Sequence, residues 1–385
     1  MSGITLSAGV RQNLLALQST ADMMGLTQNR LATGKKVNTA LDNPNSFFTA
    51  AGLNNRANDL GTLLDDMGQA VQTLKAADQG ITAITKLVES AKAKANQALQ
   101  AQSLVDRKTY ANQYNDLLTQ IEDIARDSGY NGKNLLAGSG NDLTVNFNEK
   151  NSSSLTISAI DYTDTTSSTG LNIQDLAAGA AGTSTIALDD GTNPLVGTDL
   201  LTDDANGQFT AGDTLTFTDG NGASIGSFTV GATSTVDDLV SAVNQFKGIS
   251  ASFAGGTITL TGQVDVNVTS SNSGFGTSGT LAVDATDSGF ATDSSINSAI
   301  SQLNSALSTL RSQSSTFGTN LTVVQNRQDF TKNLVNTLQE GSGLLTLADS
   351  NEEGANLLAL QTRQQLSTTA LSFATQADQN VLRLF

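Results

Sequence analysis

The chain contains no cysteine, no histidine and no tryptophan, and only two prolines in 385 residues. Without cysteine there is neither a disulfide framework nor a thiolate metal site, and thiol usage gives no redox compartment. Without histidine, zinc sites of the usual kind, imidazole acid–base chemistry and Ser-His-Asp triads are excluded. With Pro44 and Pro194 alone, slow cis/trans isomerisation has few positions at which to delay folding. Charge is sparse and one-sided: 15% of residues are charged, and the net is -16. No basic stripe with interleaved aromatics occurs, so neither nucleic acid nor an anionic membrane surface is an expected partner. No apolar run approaches the length of a membrane span, and the N-terminus lacks the basic segment and apolar core of a secretory signal. Membrane insertion, cofactors and a metal site are not expected, and every common catalytic constellation is missing. The chain reads as an assembly subunit and not an enzyme, and any export is expected to proceed without a cleaved signal peptide.

What is present is a helical pattern at each end. Val10, Leu14, Leu17, Ala21, Met24 and Leu31 recur with gaps of three and four, the seam of a coiled-coil helix that should stop at Gly34. A longer run holds one register through Leu53, Ala57, Leu60, Leu64, Met67, Val71, Leu74, Ile81 and Val88, with Leu63 and Leu87 widening the stripe. Tyr110, Tyr114, Leu117, Ile121 and Ile124 mark a shorter helix ending near Ser128-Gly129. The last third resumes the pattern in Ile296, Ile300, Leu303, Leu307, Leu310, Phe317, Leu321, Val324, Val335 and Leu338. A final helix is marked by Leu366, Ala370, Phe373, Ala377, Val381 and Leu384. Any one such stripe usually means an ordinary buried core. Their placement at both ends implies termini that come together in a bundle.

The middle, residues 151–292, is rich in Gly, Ser, Thr and Asp, and Lys247 is its only basic residue. Alternation over Thr214–Thr218, the turn Asp219-Gly220-Asn221-Gly222 and Ser227–Val230 predict a hairpin. A helix from Val236 to about Phe246 should follow, capped by Ser234 or Thr235, and then a second hairpin through Gly255-Gly256. These make a ββαββ module at about residues 212–270. Leu143–Phe147 and Leu155–Ile157 should pair beneath it, and residues 161–206 read as loop with short strands. Gly274, Gly276 and Gly279 have dinucleotide spacing but run into Leu281-Ala282-Val283, which reads as a strand where a phosphate-binding helix is required. Asp219 and Asp204 open sequences like calcium loops without the closing carboxylate, and read as Asx turns. The adjacent pairs Asp65-Asp66, Asp189-Asp190, Asp203-Asp204 and Asp237-Asp238 read as solvated surface.

The run from Arg30 and Leu31 through Gly34 and Asn38 to Ala40, with Asp42, resembles the N-terminal signature of bacterial flagellins, alphaproteobacterial in type. Tyr130-Asn131-Gly132, Val324-Gln325-Asn326-Arg327 and Gln379-Asn380-Val381-Leu382 extend the likeness in the right order. The resemblance implies an α+β chain: an α-helical coiled-coil bundle core from both termini, with a β-rich outer insertion. Residues 1–42 and 346–385 would be inner-tube helices, built on Val10, Leu14, Leu17, Met24, Leu31, Leu366, Phe373, Val381 and Leu384. Residues 43–150 and 293–345 would form the surrounding helical domain, and 151–292 the outer domain. The implied function is a subunit of the flagellar filament, exported unfolded through the type III channel. Implied partners are copies of itself, a filament cap, hook–filament junction proteins, the export apparatus and a flagellin chaperone, and O-glycans are the modification the outer Ser and Thr admit. A hook–filament junction protein, or a filamentous adhesin using the outer domain, are the alternatives.

Overall fold

The computed structural model describes residues 8–382, of which the side chains of Asp378 and residues 380–382 are left out. The chain forms two compact units, one of residues 1–68, 145–155 and 325–385, the other of 69–144 and 156–324.

The first unit contains helix α1 (Ala8–Thr33), the start of α2 (Pro44–Gln100), the end of α5 (Asp293–Thr346) and α6 (Ser350–Leu382). Local signals set the helix ends. Gly34, at φ +68°, supplies the left-handed residue that stops α1. Pro44 takes the first position of α2, where it has no N–H to waste, and the Asn43 carboxamide accepts the N–H of Ser46 at 3.1 Å. Asp349 accepts from Asn351 N at 2.8 Å at the head of α6. Leu53, Ala57, Leu60 and Leu63 of α2 pack on Leu334, Val335 and Leu338 of α5. Between β1 (Leu143–Asn146) and β2 (Ser154–Ile157), the hairpin tip is pinned by Arg56–Glu149 at 2.7 Å and by Arg327, 5.3 Å from the centre of the Phe147 ring.

The second unit holds the rest of α2 and α5, helix α3 (Leu104–Asp127), and the β-rich middle. Two antiparallel sheets enclose one core. One has the order β3-β7-β6 and the other β5-β4-β8-β9, from β3 (Gly182–Ala187), β4 (Thr214–Asp219), β5 (Ser224–Thr229), β6 (Ile249–Ala254), β7 (Thr257–Gly262), β8 (Val266–Ser270) and β9 (Thr280–Val283). Helix α4 (Val236–Val243) starts in a capping box between Thr235 and Asp238. It ends at Val243, short of the expected Phe246, because the Asn244 side chain turns to the β6 backbone, donating to Ala251 O at 2.9 Å and accepting from Ala251 N at 2.8 Å. Phe246 instead lies 5.3 Å from the Phe217 ring.

The expected ββαββ segment is therefore present in order, but its two hairpins belong to different sheets. Each is completed by a strand that is not one of the five expected elements, β8 and β3 respectively. Asp204, expected on the surface as part of an adjacent pair, is buried and accepts Gln208 N, while Asp219 closes the expected Asx turn by accepting Asn221 N and Ala223 N and is itself 1% exposed.

Candidate assembly surface

Helices α1 and α6 run antiparallel, with the end of one beside the start of the other at Arg30–Glu353, 3.1 Å apart. The face that α1 buries or half-buries follows Val10, Asn13, Leu17, Thr20, Met24, Thr27 and Arg30. It shares Val10, Leu17 and Met24 with the seam read from the sequence, and replaces Leu14 and Ala21 by their polar neighbours. On α6 the inward face is Glu353, Leu357, Leu360, Gln364, Ser367, Leu371 and Ala374. The expected stripe of Leu366, Ala370, Phe373 and Ala377 is exposed. Each helix thus carries two adjacent heptad stripes, and the more apolar one points away from the helix partner.

The exposure is large. Leu14 is 44% exposed, Leu26 44% and Leu31 41%, and on α6 Leu358 and Leu366 are each 67% and Phe373 66%. Fully burying a side chain of this size is worth about 1.5–3 kcal/mol, and none of these realises it in full among the described residues. Asn380 and Val381 lie in α6 with side chains outside the description, and Leu384 falls outside the described residues.

The linkers between these helices are tied together. Lys36 N and Val37 N both donate to Thr346 O, at 2.8 and 3.2 Å, and Ala348 N donates to Gly34 O at 3.0 Å. Beside them Asp42 accepts Thr39 N at 2.8 Å and Asn38 N at 2.9 Å, and these backbone bonds hold its carboxyl below the usual range. Asn38 and Asp42 of the signature therefore fold the turn before α2.

The remaining expected residues fall on α2, α5 and a turn. In the first unit Leu60 and Met67 are buried and Leu64 is half-buried. In the second, Val71, Leu74, Ile81, Leu303, Leu307, Leu310, Phe317 and Val324 are buried, with Ile300 and Leu321 half-buried. Asn131 and Gly132, at φ +47° and +78°, make a two-residue turn closed by Tyr130 N to Lys133 O at 2.8 Å. Gln325 and Asn326 are exposed.

Two residues of the second unit carry more than the sequence reading gave them. The Asp219 carboxylate accepts the N–H of Leu104 at 2.7 Å, so the first turn of α3 is satisfied by a residue 115 positions later. Arg107 donates to Ala101 O, Ala291 O and Asp293, at 2.7, 3.1 and 2.7 Å. The described residues include no group of acidic side chains able to hold a metal ion, and no helix among them is long and apolar enough to cross a membrane.

The family model of the bacterial flagellin N-terminal helical region matches residues 9–141, and that of the bacterial flagellin C-terminal helical region matches residues 296–385. Together they take in more than half of the chain. The chain belongs to the bacterial flagellin family. Flagellin A of Rhizobium meliloti strain 1021 is 27% identical over 420 residues, covering 100% of both chains. Flagellin C of the same strain is 22% identical over 407 residues, covering 100% of this chain and 99% of that one. A flagellin of Brucella melitensis is 36% identical over 110 residues, 28% of this chain and 39% of its own. A solved FlgL of Xanthomonas campestris covers 73% of this chain and 98% of its own at 12% identity, with a TM-score of 0.33, too low to bear on the fold. This flagellin is a structural subunit of the bacterial flagellar filament, from a family that is not enzymatic.

Proposed function

We propose that α1 and α6 line the innermost wall of the filament, that residues 43–150 and 293–345 form the layer around it, and that residues 151–292 project outward. The observation that supports this reading is the exposed stripe from Leu14 to Leu31 and from Leu358 to Phe373, on helices whose mutual contact is partly polar. Isolated helices are marginal in water, so the pair orders fully only where copies of the chain cover its apolar side. The subunit leaves the cell as an unfolded chain, without a cleaved signal peptide, and works in the extracellular filament. A chaperone that covers the same stripes before export, the export apparatus, a filament cap and junction proteins are the partners, and exposed Ser and Thr of the middle carry any O-glycans.

The test is seeded polymerisation of purified protein on sheared filaments, followed by negative-stain microscopy. Long filaments are expected from the parent. Leu366→Asp and Phe373→Asp should abolish them while shifting thermal unfolding of the free chain by less than about 0.5 kcal/mol, as substitutions at exposed sites do. Parent-like filaments from both variants, or from a chain lacking residues 366–385, overturn the proposal.

A further inference from the structure

We infer that the Arg30–Glu353 ion pair sets the register between α1 and α6, and so decides which exposed side chains of the two helices line up for a second copy. The second half of this inference rests on the assembly reading above.

The mutual face of the pair discriminates weakly between registers. Thr20 and Thr27 are one heptad apart on α1, as are Val10, Leu17 and Met24. On α6, Leu357, Gln364 and Leu371 follow the same period, and so do Leu360, Ser367 and Ala374. Sliding one helix by seven residues replaces a threonine by a threonine on α1, and on α6 trades Leu357 for Gln364 and Leu360 for Ser367 but also Gln364 for Leu371 and Ser367 for Ala374, so losses in apolar contact are largely offset by gains.

A charge discriminates strongly. Glu353 is the only acidic or basic residue of α1 and α6 that is buried among the described residues, its side chain 9% exposed. A heptad slide would set its carboxylate against Met23 or Val37 in place of Arg30. An ion withdrawn from water without a partner costs far more than an exchanged methyl group. The pairing is not built for maximal strength: only Nη1 of Arg30 reaches Glu353, and the buried Nε of Arg30 has no hydrogen-bond partner. A buried pair that is weak as a stabiliser but costly to misplace is suited to fixing register. The backbone bonds joining residues 34–37 to 346–348 are the competing determinant. They carry no side-chain information, so side-chain substitution separates the two.

Because the chain lacks cysteine, introduced pairs report register without interference. Thr27→Cys with Asn356→Cys reports the native register, since both residues line one cavity of about 360 Å³ between the helices. Thr20→Cys with Asn356→Cys reports a one-heptad slide. Disulfide yields are compared in the free chain and in sedimented polymer, with unfolding of the β-rich middle as a check on folding. In Arg30→Gln and in Glu353→Gln the ratio of native to slid disulfide is expected to fall about tenfold, and the exchange Arg30→Glu with Glu353→Arg to restore it. An unchanged ratio in both single variants, or no restoration in a folded exchange variant, overturns the inference in favour of the linker bonds. A parent that fails to polymerise on seeds while the ratio moves as expected sinks the assembly reading and leaves the register assignment standing.

Discussion

The α1/α6 pair and the β-rich middle handle apolar side chains in opposite ways. In the middle, Phe217, Leu215, Val268, Phe275 and Ile258 are at most 1% exposed, and two sheets and a helix close over them. In the helix pair, residues as large as Leu366 and Phe373 stand two-thirds exposed. Charge divides the chain in the same sense. Residues 151–292 carry fifteen aspartates and one lysine, whereas residues 1–150 carry fourteen acidic and fourteen basic side chains. One region closes its own core and is strongly acidic, and the other is nearly neutral and leaves large apolar side chains exposed. The middle keeps its core inside one chain, while the terminal helices leave large apolar side chains exposed, which is the basis of the assembly proposed above.

The strongest way to break this contrast is to damage the self-contained half. Phe217→Ala should destabilise the middle by about 3–5 kcal/mol, as loss of a buried ring does, read as a lowered thermal midpoint. A loss below about 1 kcal/mol would mean that the core is not closed within one chain. A smaller effect, about 1–3 kcal/mol, is expected from Asp219→Asn, which weakens a buried charge-assisted bond to the head of α3. Hydrogen exchange should rise at Leu104 and in the turn at Asn221 and Ala223, whose N–H groups the same carboxylate accepts. Unchanged exchange at Leu104 would remove Asp219 from the cap.

Titration separates turn carboxylates from buried tyrosines by direction. The Asp42 carboxyl, held down mainly by the Thr39 N–H, stabilises the linker turn above the usual carboxylate pKa, and that contribution is lost as pH falls through the lowered value. Tyr162 in the second unit is pushed up by burial to about 12, so its contribution is complete below the ordinary value near 10 and is lost as pH rises toward 12. Asp164, Asp190 and Asp238 in the middle are held down by hydrogen bonds of the same kind, so acid should loosen the turns they close together with residues 34–43, whereas alkali should loosen the surroundings of Tyr162. Exchange rates resolved by segment check both, and turns at Asp42, Asp164, Asp190 and Asp238 that loosen in alkali and not in acid would contradict the assignment.

Most helices were legible in the sequence because heptad spacing and local end signals coincide, as at Gly34 and Thr235. The α+β class came with the flagellin resemblance, and the hairpin at Gly255-Gly256 followed from turn chemistry. Which of two neighbouring heptad stripes turns inward was not legible. Leu357, Leu360 and Leu371 have the same periodicity as Leu366 and Phe373, and hydrophobicity does not say whether the covering surface comes from the same chain. The strand β8 had a signal that went unused, the alternation Val264, Val266, Val268. The cap that Asp219 places on α3 had none, because nothing local links residues 104 and 219.

The most direct measurement is amide hydrogen exchange along α1 and α6, in the free chain and again in filaments grown from seeds. The expected result is fast exchange in both helices of the free chain, strong protection in the filament, and little change across residues 182–283. Equal protection of α1 and α6 in the two states would contradict the claim that their apolar sides are completed only by neighbouring copies.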